Sequence, residues 1–383
     1  MKKSLKKILA GMLSAGMALS LSACGGSSGG TTSTTAAASN TTAAASGTTS
    51  TEASGSSSAA TATEGNSYVI RIASSSPTVE FEGEGSTALG ISVNYFIREI
   101  EARTGGRVTA QVFPDGQIAS STQEYIGGLQ NGAFDVGILN CGSWADYTPA
   151  FAGLNVPYLY FDYDDAYAVL DSEIGEDWKK RAQEDTQTIP LAYFDIGFRE
   201  LTANKPVYTP DDMKGIKIRT MTDPIQMACW EALGAAVTPV AYSELYTALQ
   251  QKMVDAQENP PSNIVSSKVY ELQKYCVKTN HNFTVTIAAA SPIFWNGLSD
   301  SDKELISNLM IEAQNEGRKH TEELVDGFYE TMKSNLEIIE LDADQLKAFQ
   351  DKAKSVWPKI EEQMGTEAYN KLINFVTDYQ SKK

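Results

Sequence analysis

KGIKIRTMTDPIQMACWEALG, residues 214–234, holds a strand, a turn and a helix in one short stretch. Ile216 and Ile218 alternate with Lys217 and Arg219, which is the two-residue period of a strand with one buried face. Asp223 then stands where a helix N-cap accepts backbone N–H groups, Pro224 suits the first helical position, and Gly234 supplies the left-handed stop. A strand that feeds a helix is the unit from which helix-covered sheets are built.

The same rhythm recurs on both sides. Upstream, Tyr68–Ala73 reads as a strand, and Leu89, Val93, Phe96, Ile97 and Ile100 recur at helical spacing until Gly105-Gly106. Arg107–Phe113 alternates as a strand, Gln123–Gln130 reads as a short helix, and Phe134–Leu139 and Ile189–Phe194 read as further strands. Downstream, Ser243–Asp255 carries Leu245, Leu249, Met253 and Val254 on one stripe. A long helix is predicted over Ser299–Leu336, with Ser299 and Asp302 at capping-box spacing, and helices continue to Tyr379. The pattern predicts an α/β protein with two lobes, mainly parallel sheets and extra C-terminal helices. A chain of this length also exceeds what one core organises.

The N-terminus reads differently. Lys2, Lys3, Lys6 and Lys7 precede an apolar run, Ile8–Leu21, and then Leu21-Ser-Ala-Cys24. The run is shorter than the roughly 20 residues of a spanning helix, so 1–23 is expected to be a cleaved export signal. Leu-Ser-Ala-Cys is similar to a bacterial lipobox, in which Cys24 would carry the lipid; plain secretion with an incidental cysteine is the alternative. Residues 24–66 are almost wholly Ser, Thr, Ala and Gly, without Leu, Ile, Val or Phe, and are expected to form a disordered tether. The expected location is the outer face of the cytoplasmic membrane, facing either a Gram-positive exterior or a periplasm.

A formal charge of −17 disfavours nucleic acid and anionic lipid as partners, and means that an anionic ligand needs a locally positive pocket. Cys141, Cys229 and Cys276 show no metal-ligand spacing and are expected to be buried free thiols, one disulfide being the alternative. With only His281 and His320 as imidazoles, a histidine-rich metal site is not expected, and a protein that only binds and releases needs no cofactor. Residues 67–383 contain no nucleophile elbow, phosphate loop, dinucleotide fingerprint or zinc-helix motif, so an enzyme is not expected. A carbohydrate-binding module and a ligand receptor for a sensor kinase stand as rival readings.

Six segments point further: Phe113-Pro-Asp-Gly-Gln117, Gly197-Phe-Arg-Glu-Leu-Thr-Ala-Asn-Lys-Pro206, Asp212-Met-Lys-Gly-Ile-Lys-Ile-Arg219, Pro239–Gln250, Val254-Asp-Ala-Gln-Glu-Asn-Pro260 and Thr279-Asn-His281. In this order the chain from Tyr68 to Tyr379 resembles the DctP-type solute-binding proteins of tripartite ATP-independent periplasmic (TRAP) transporters. Ala256 departs from the glycine common there. The resemblance implies a two-lobed, periplasmic-binding-protein-like fold (type II-like) with a long hinge-spanning helix. It places lobe one at 67–196 and 285–324, and lobe two at 197–284 and 325–383. It also implies a monomer that closes on a small organic acid (sugar acid, hydroxy acid or dicarboxylate) and docks on TRAP membrane subunits.

The resemblance assigns Arg219 to the ligand carboxylate, and a guanidinium fork at the carboxyl end of a strand suits that task. Arg199 is the second candidate, in contact with the acid or holding other site groups. Asn259 brings an amide that both donates and accepts. Asn140, Trp144 and Tyr242 are expected to line the cleft as a polar group and two aromatic walls. Trp295, Phe198, Glu80 and Arg71 are minor candidates.

Overall fold

Residues 66–383 are described by the computed structural model; the expected export signal, Cys24 and all but the last residue of the expected tether lie outside them. The first lobe opens with β1 (Tyr68–Ser74), α1 (Ala88–Arg103), β2 (Val108–Phe113), α2 (Thr122–Asn131) and β3 (Val136–Asn140). Thr87 and Ser121 cap the two helices, the latter in a full capping box with Glu124. Next come α3 (Tyr163–Leu170), α4 (Glu173–Thr186) and the long strand β4 (Ile189–Phe198), which crosses out of this lobe. Gly197 has φ 112, a conformation that disfavours any side chain, at the point where the chain leaves the first sheet.

The second lobe contains β5 (Glu200–Ala203), β6 (Lys217–Thr220), α5 (Pro224–Leu233), β7 (Ala236–Pro239), α6 (Leu245–Gln250), β8 (Ala256–Asn259), α7 (Pro261–Ser266) and β9 (Tyr275–Lys278). The chain then recrosses through β10 (Phe283–Ala290) and α8 (Pro292–Gly297) before α9 (Asp300–Met332). β11 (Glu337–Glu340), α10 (Ala343–Ala353), α11 (Trp357–Met364) and α12 (Thr366–Ser381) complete it.

The sheet orders are β2-β1-β3-β10-β4 and β11-β9-β5-β8-β6-β7. Both are mixed, which corrects the expectation of mainly parallel sheets. β10 runs antiparallel to β3 and β4, and β5 runs antiparallel to β8 and β9, because strands that carry the chain between lobes enter each sheet from the opposite end. The crossing pair β4 and β10 belongs to the first sheet as far as Phe198 and Phe283. β10 is buried throughout.

α9 spans both lobes. Its Ile306, Leu309, Met310 and Ala313 pack with Leu89, Val93 and Phe96 of α1, while Met332 sits in the second lobe's core with Leu245 and Ile264. At Gly317 a Cβ would come 2.2 Å from Ser92 Oγ, so glycine is required where α9 crosses α1. The helix ends at Met332 and not at Leu336, and α6 ends at Gln250 and not at Asp255, where Lys252 turns the chain at φ 57. The C-terminal region does not stay with the second lobe. α10 packs on α5, but α12 packs on α3, Trp357 Nε1 donates to the Pro157 carbonyl, and Gln380 Nε2 donates to Leu159 O and Asp165. Cys141, Cys229 and Cys276 are free and buried.

Candidate functional site

A cavity of about 170 Å³ lies between the lobes, at the carboxyl ends of strands from both sheets. The first lobe contributes Ser75 and Ser76 after β1, Ser120–Thr122 at the start of α2, Asn140 and Ser143 after β3, and Thr286 on β10. From the second come Arg219 near the end of β6 with Met221 and Thr222 after it, Val240–Ser243 after β7, Asn259 at the end of β8 and Asn263 in α7.

Arg219 is 2 % exposed: it points to the face opposite Ile218, and β6 is buried on both faces from Ile218 to Thr220. Its Nε and Nη2 both donate to the Val240 carbonyl, at 2.9 and 2.7 Å. No carboxylate lies within 4.0 Å of it among the described residues. Burial lowers its pKa to about 10; Glu258 acts in the opposite sense from a distance, and Arg199 reinforces the drop. It is a desolvated cation at a cavity wall, held in place by a neutral acceptor.

Arg199 is equally buried but differently used, and it does not line the cavity. Its Nε pairs with Glu258 Oε2; its Nη2 donates to Glu258 Oε1 at 3.0 Å, to the Glu258 carbonyl at 2.6 Å and to Asn259 Oδ1 at 3.0 Å. Nη1 reaches Thr284 Oγ1 at 3.4 Å. Direct contact with an acid is thus not its place in this structure: Glu258, on the adjoining strand β8, takes its charge. His281 Nε2 also meets Glu258 Oε2, at 3.1 Å, while its Nδ1 meets Thr279 Oγ1 at 2.8 Å. Burial would raise the Glu258 pKa, but Arg199 and His281 outweigh it and hold the group down to about 2. Burial and Arg199 lower the His281 pKa, which leaves the ring neutral, with Nε2–H donating to the carboxylate.

Asn259 joins the two arginine environments. Its Oδ1 accepts from Arg199, its Nδ2 donates to Gln257 Oε1 at 2.6 Å, and the side chain also borders the cavity. Asn140 and Tyr242 border it as well; Asn140 Oδ1 accepts from Gly142 N at 2.9 Å, and the Tyr242 hydroxyl donates to Asn263 O at 3.4 Å. Trp144 does not. It is 1 % exposed and packs edge-on against Phe151 at 5.8 Å, because the turn after β3 leaves Asn140 and Ser143 facing the cleft and sends the indole into the core. Phe198 is in the aromatic cluster of Phe283 and Tyr163, Trp295 packs against the first core, and Arg71 pairs with Asp135 at the surface.

Ser75, Ser76, Ser121, Met221, Asn263 and Thr286 were not singled out in the sequence. Position just after a strand finds Ser75, Ser76 and Met221, and the capping box finds Ser121; the alternation Phe283-Thr-Val-Thr-Ile287 marks a strand but not that Thr286 faces a cavity. Among the described residues no cluster of His, Cys, Asp and Glu forms a metal site, and no helix is long and apolar enough to cross a membrane.

The family model for bacterial extracellular solute-binding proteins, family 7 (DctP), matches residues 82–363. The 2,3-diketo-L-gulonate-binding periplasmic protein YiaO of Escherichia coli K12 is 30 % identical over 285 residues, 73 % of this chain and 85 % of that protein. The C4-dicarboxylate-binding periplasmic protein DctP of Rhodobacter capsulatus is 30 % identical over 70 % of this chain and 80 % of its own length. Two solved TRAP periplasmic solute-binding proteins superpose with a TM-score of 0.73 over 80 % of this chain. One, from Roseobacter denitrificans OCh 114 with bound L-galactonate, is 28 % identical and covered to 99 %. The other, from Sulfurospirillum deleyianum with bound succinate, is 27 % identical and covered to 98 %.

Proposed function

This chain belongs to the DctP family of bacterial extracellular solute-binding proteins, and on that premise we propose that it captures a small organic acid between its lobes for delivery to TRAP membrane subunits, with Arg219 as the carboxylate anchor. One observation supports the anchor above all others: Arg219 is buried at the cavity wall with no carboxylate beside it. A buried charge without a partner costs several kcal/mol, and an incoming carboxylate supplies the missing partner together with two parallel hydrogen bonds. Closing expels water and strengthens that attraction. A polymer-binding surface would show an exposed aromatic platform, whereas this site is an enclosed cleft.

The lining contains one arginine and no lysine, and Arg199 is occupied by Glu258. A second carboxylate on the ligand would find no cation, while hydroxyls would find Asn140, Asn259, Asn263 and several serines. We therefore assign a monocarboxylate bearing hydroxyls, such as an aldonate or uronate, ahead of a dicarboxylate. The protein binds and releases; no chemical step is assigned to it. Cys24 is proposed to carry a lipid that holds the protein outside the cytoplasmic membrane. Cys24→Ser should then release it from the membrane fraction.

The test is a thermal-shift screen against organic acids, neutral sugars and amino acids. An acid at about 100 times its wild-type Kd adds roughly 2.7 kcal/mol of stability, which is expected in the wild type and cut by half or more in Arg219→Ala. A shift with a neutral sugar that survives the substitution would mean that Arg219 is structural.

A further inference from the structure

Behind the cavity wall lies a carboxyl group that the capture of an acid does not by itself require. Glu80, on the short turn between β1 and α1, is 1 % exposed. Its Oε1 accepts from Ser266 Oγ at 2.7 Å, and Ser266 ends α7 in the other lobe. Its Oε2 faces Thr87 Oγ1 at 3.4 Å, and the Ser76 hydroxyl also interacts with it. Ser76 and Tyr242 border the cavity, and Tyr242 is in turn linked to Ser266. Glu80 thus connects one wall of the ligand site to the other.

No cation pairs with Glu80 within 4.0 Å among the described residues. α7 carries no titratable side chain, and the arginines of α1 are engaged elsewhere, Arg98 by Glu84 and Glu99, Arg103 by Glu99 and Glu312. The other ionisable groups that act on this region are Asp115, which is also negative, and the Tyr242 phenol. A carboxylate in this setting is desolvated without a cation beside it, which favours its protonated form more than the donating hydroxyls favour the ionised one.

We infer that Glu80 is a positioning residue for capture: it pins Ser76 of one lobe to Ser266 of the other in its protonated form, so that closing on the ligand takes up a proton. This deepens the organic-acid reading and rests on it. Burial raises the Glu80 pKa from 4.5 to about 7, while the hydroxyls of Ser266, Ser76 and Thr87 act the other way. With the lobes apart the carboxyl regains water and its ordinary value. The closed state therefore gains from protonation: the effect is complete below the open-state value and is lost as pH rises through about 7. Ligand should bind roughly tenfold or more tightly at pH 5.5 than at pH 8.

The experiment is isothermal titration with D-galactonate at both pH values, in buffers of different ionisation enthalpy, on the wild type, Glu80→Gln, Glu80→Ala and Arg219→Ala. The expected result is net proton uptake in the wild type at pH 5.5 and almost none at pH 8, none at either pH in Glu80→Gln with binding retained and nearly pH-independent, and weakened binding in Glu80→Ala. Wild-type binding without proton uptake at pH 5.5 overturns the inference; so does uptake that persists in Glu80→Gln, which would move the proton to Asp223 or Glu200, both also raised to about 7 by burial. If galactonate does not bind, the ligand assignment fails separately, and the inference is read on the unliganded protein. Fluorophores at exposed Val69 and Met253, each replaced by cysteine, should then report shorter lobe separation in acid, abolished by Glu80→Gln. Separation unchanged from pH 5.5 to 8 overturns it.

Discussion

Two arginines, Arg199 and Arg219, lie fully buried in the same lobe, and their surroundings differ in one respect. Arg199 has Glu258; Arg219 has a backbone carbonyl and a cavity. Both are desolvated, so each has lost hydration that something must replace. The fold itself replaces it for Arg199, through a carboxylate, a carbonyl and two side chains. For Arg219, on the proposed function, the replacement is left to a molecule that arrives. Burial does not distinguish the two; the missing counter-charge is what supports Arg219 as the proposed anchor.

The largest effect is expected at the internal pair. Arg199→Met leaves Glu258 buried with only His281 and should cost about 3–5 kcal/mol of stability, read as a lowered denaturant midpoint. Replacing Arg199 and Glu258 together with apolar residues should recover most of that loss. Arg219→Met should do the reverse: ligand affinity falls by roughly 1.5–3 kcal/mol, about 10- to 150-fold, while the unliganded protein is as stable as before or more so. Calorimetry and unfolding curves on the same samples check both halves. A stability loss in Arg219→Met matching that of Arg199→Met would erase the distinction.

A pH measurement sharpens it. Glu258 is held down to about 2, below its ordinary 4.5. Its contribution is therefore complete above about 4.5 and lost as pH falls toward 2. The wild type should show this acid limb, and Glu258→Gln, already less stable at neutral pH, should lack it. The smallest expected effects are at the polar lining. Asn140→Ala or Tyr242→Phe should weaken ligand by about 0.5–1.5 kcal/mol each and leave stability nearly unchanged, measured by titration calorimetry.

Local chemistry carried some of this in the sequence. Asp223, Pro224 and Gly234 marked α5 correctly because caps act within a few residues, and Ser299 marked the start of α9. β10 was not read as a strand although Phe283-Thr-Val-Thr-Ile287 alternates; it lies between two neighbours and is buried on both faces, and the alternation stops at Ala288–Ala290. The direction of the crossing strands is likewise a property of the whole chain path. Arg219 was readable as a candidate from the family resemblance of its segment, which its place at a strand end supports. The destination of Arg199 was not, because it depends on Glu258, 59 residues away in sequence. Trp144 shows the same limit: an aromatic after a strand end faces core or cleft according to a single turn, here the one that begins at Asn140.

The central claim is that Arg219 waits for a carboxylate. Its most direct test is to titrate the protein with an acid that stabilises it and with the corresponding primary amide, which keeps size and hydroxyls but removes the charge. The account predicts that the acid binds and the amide does not, and that Arg219→Met abolishes the difference. Equal binding of acid and amide, unaffected by the substitution, would contradict it.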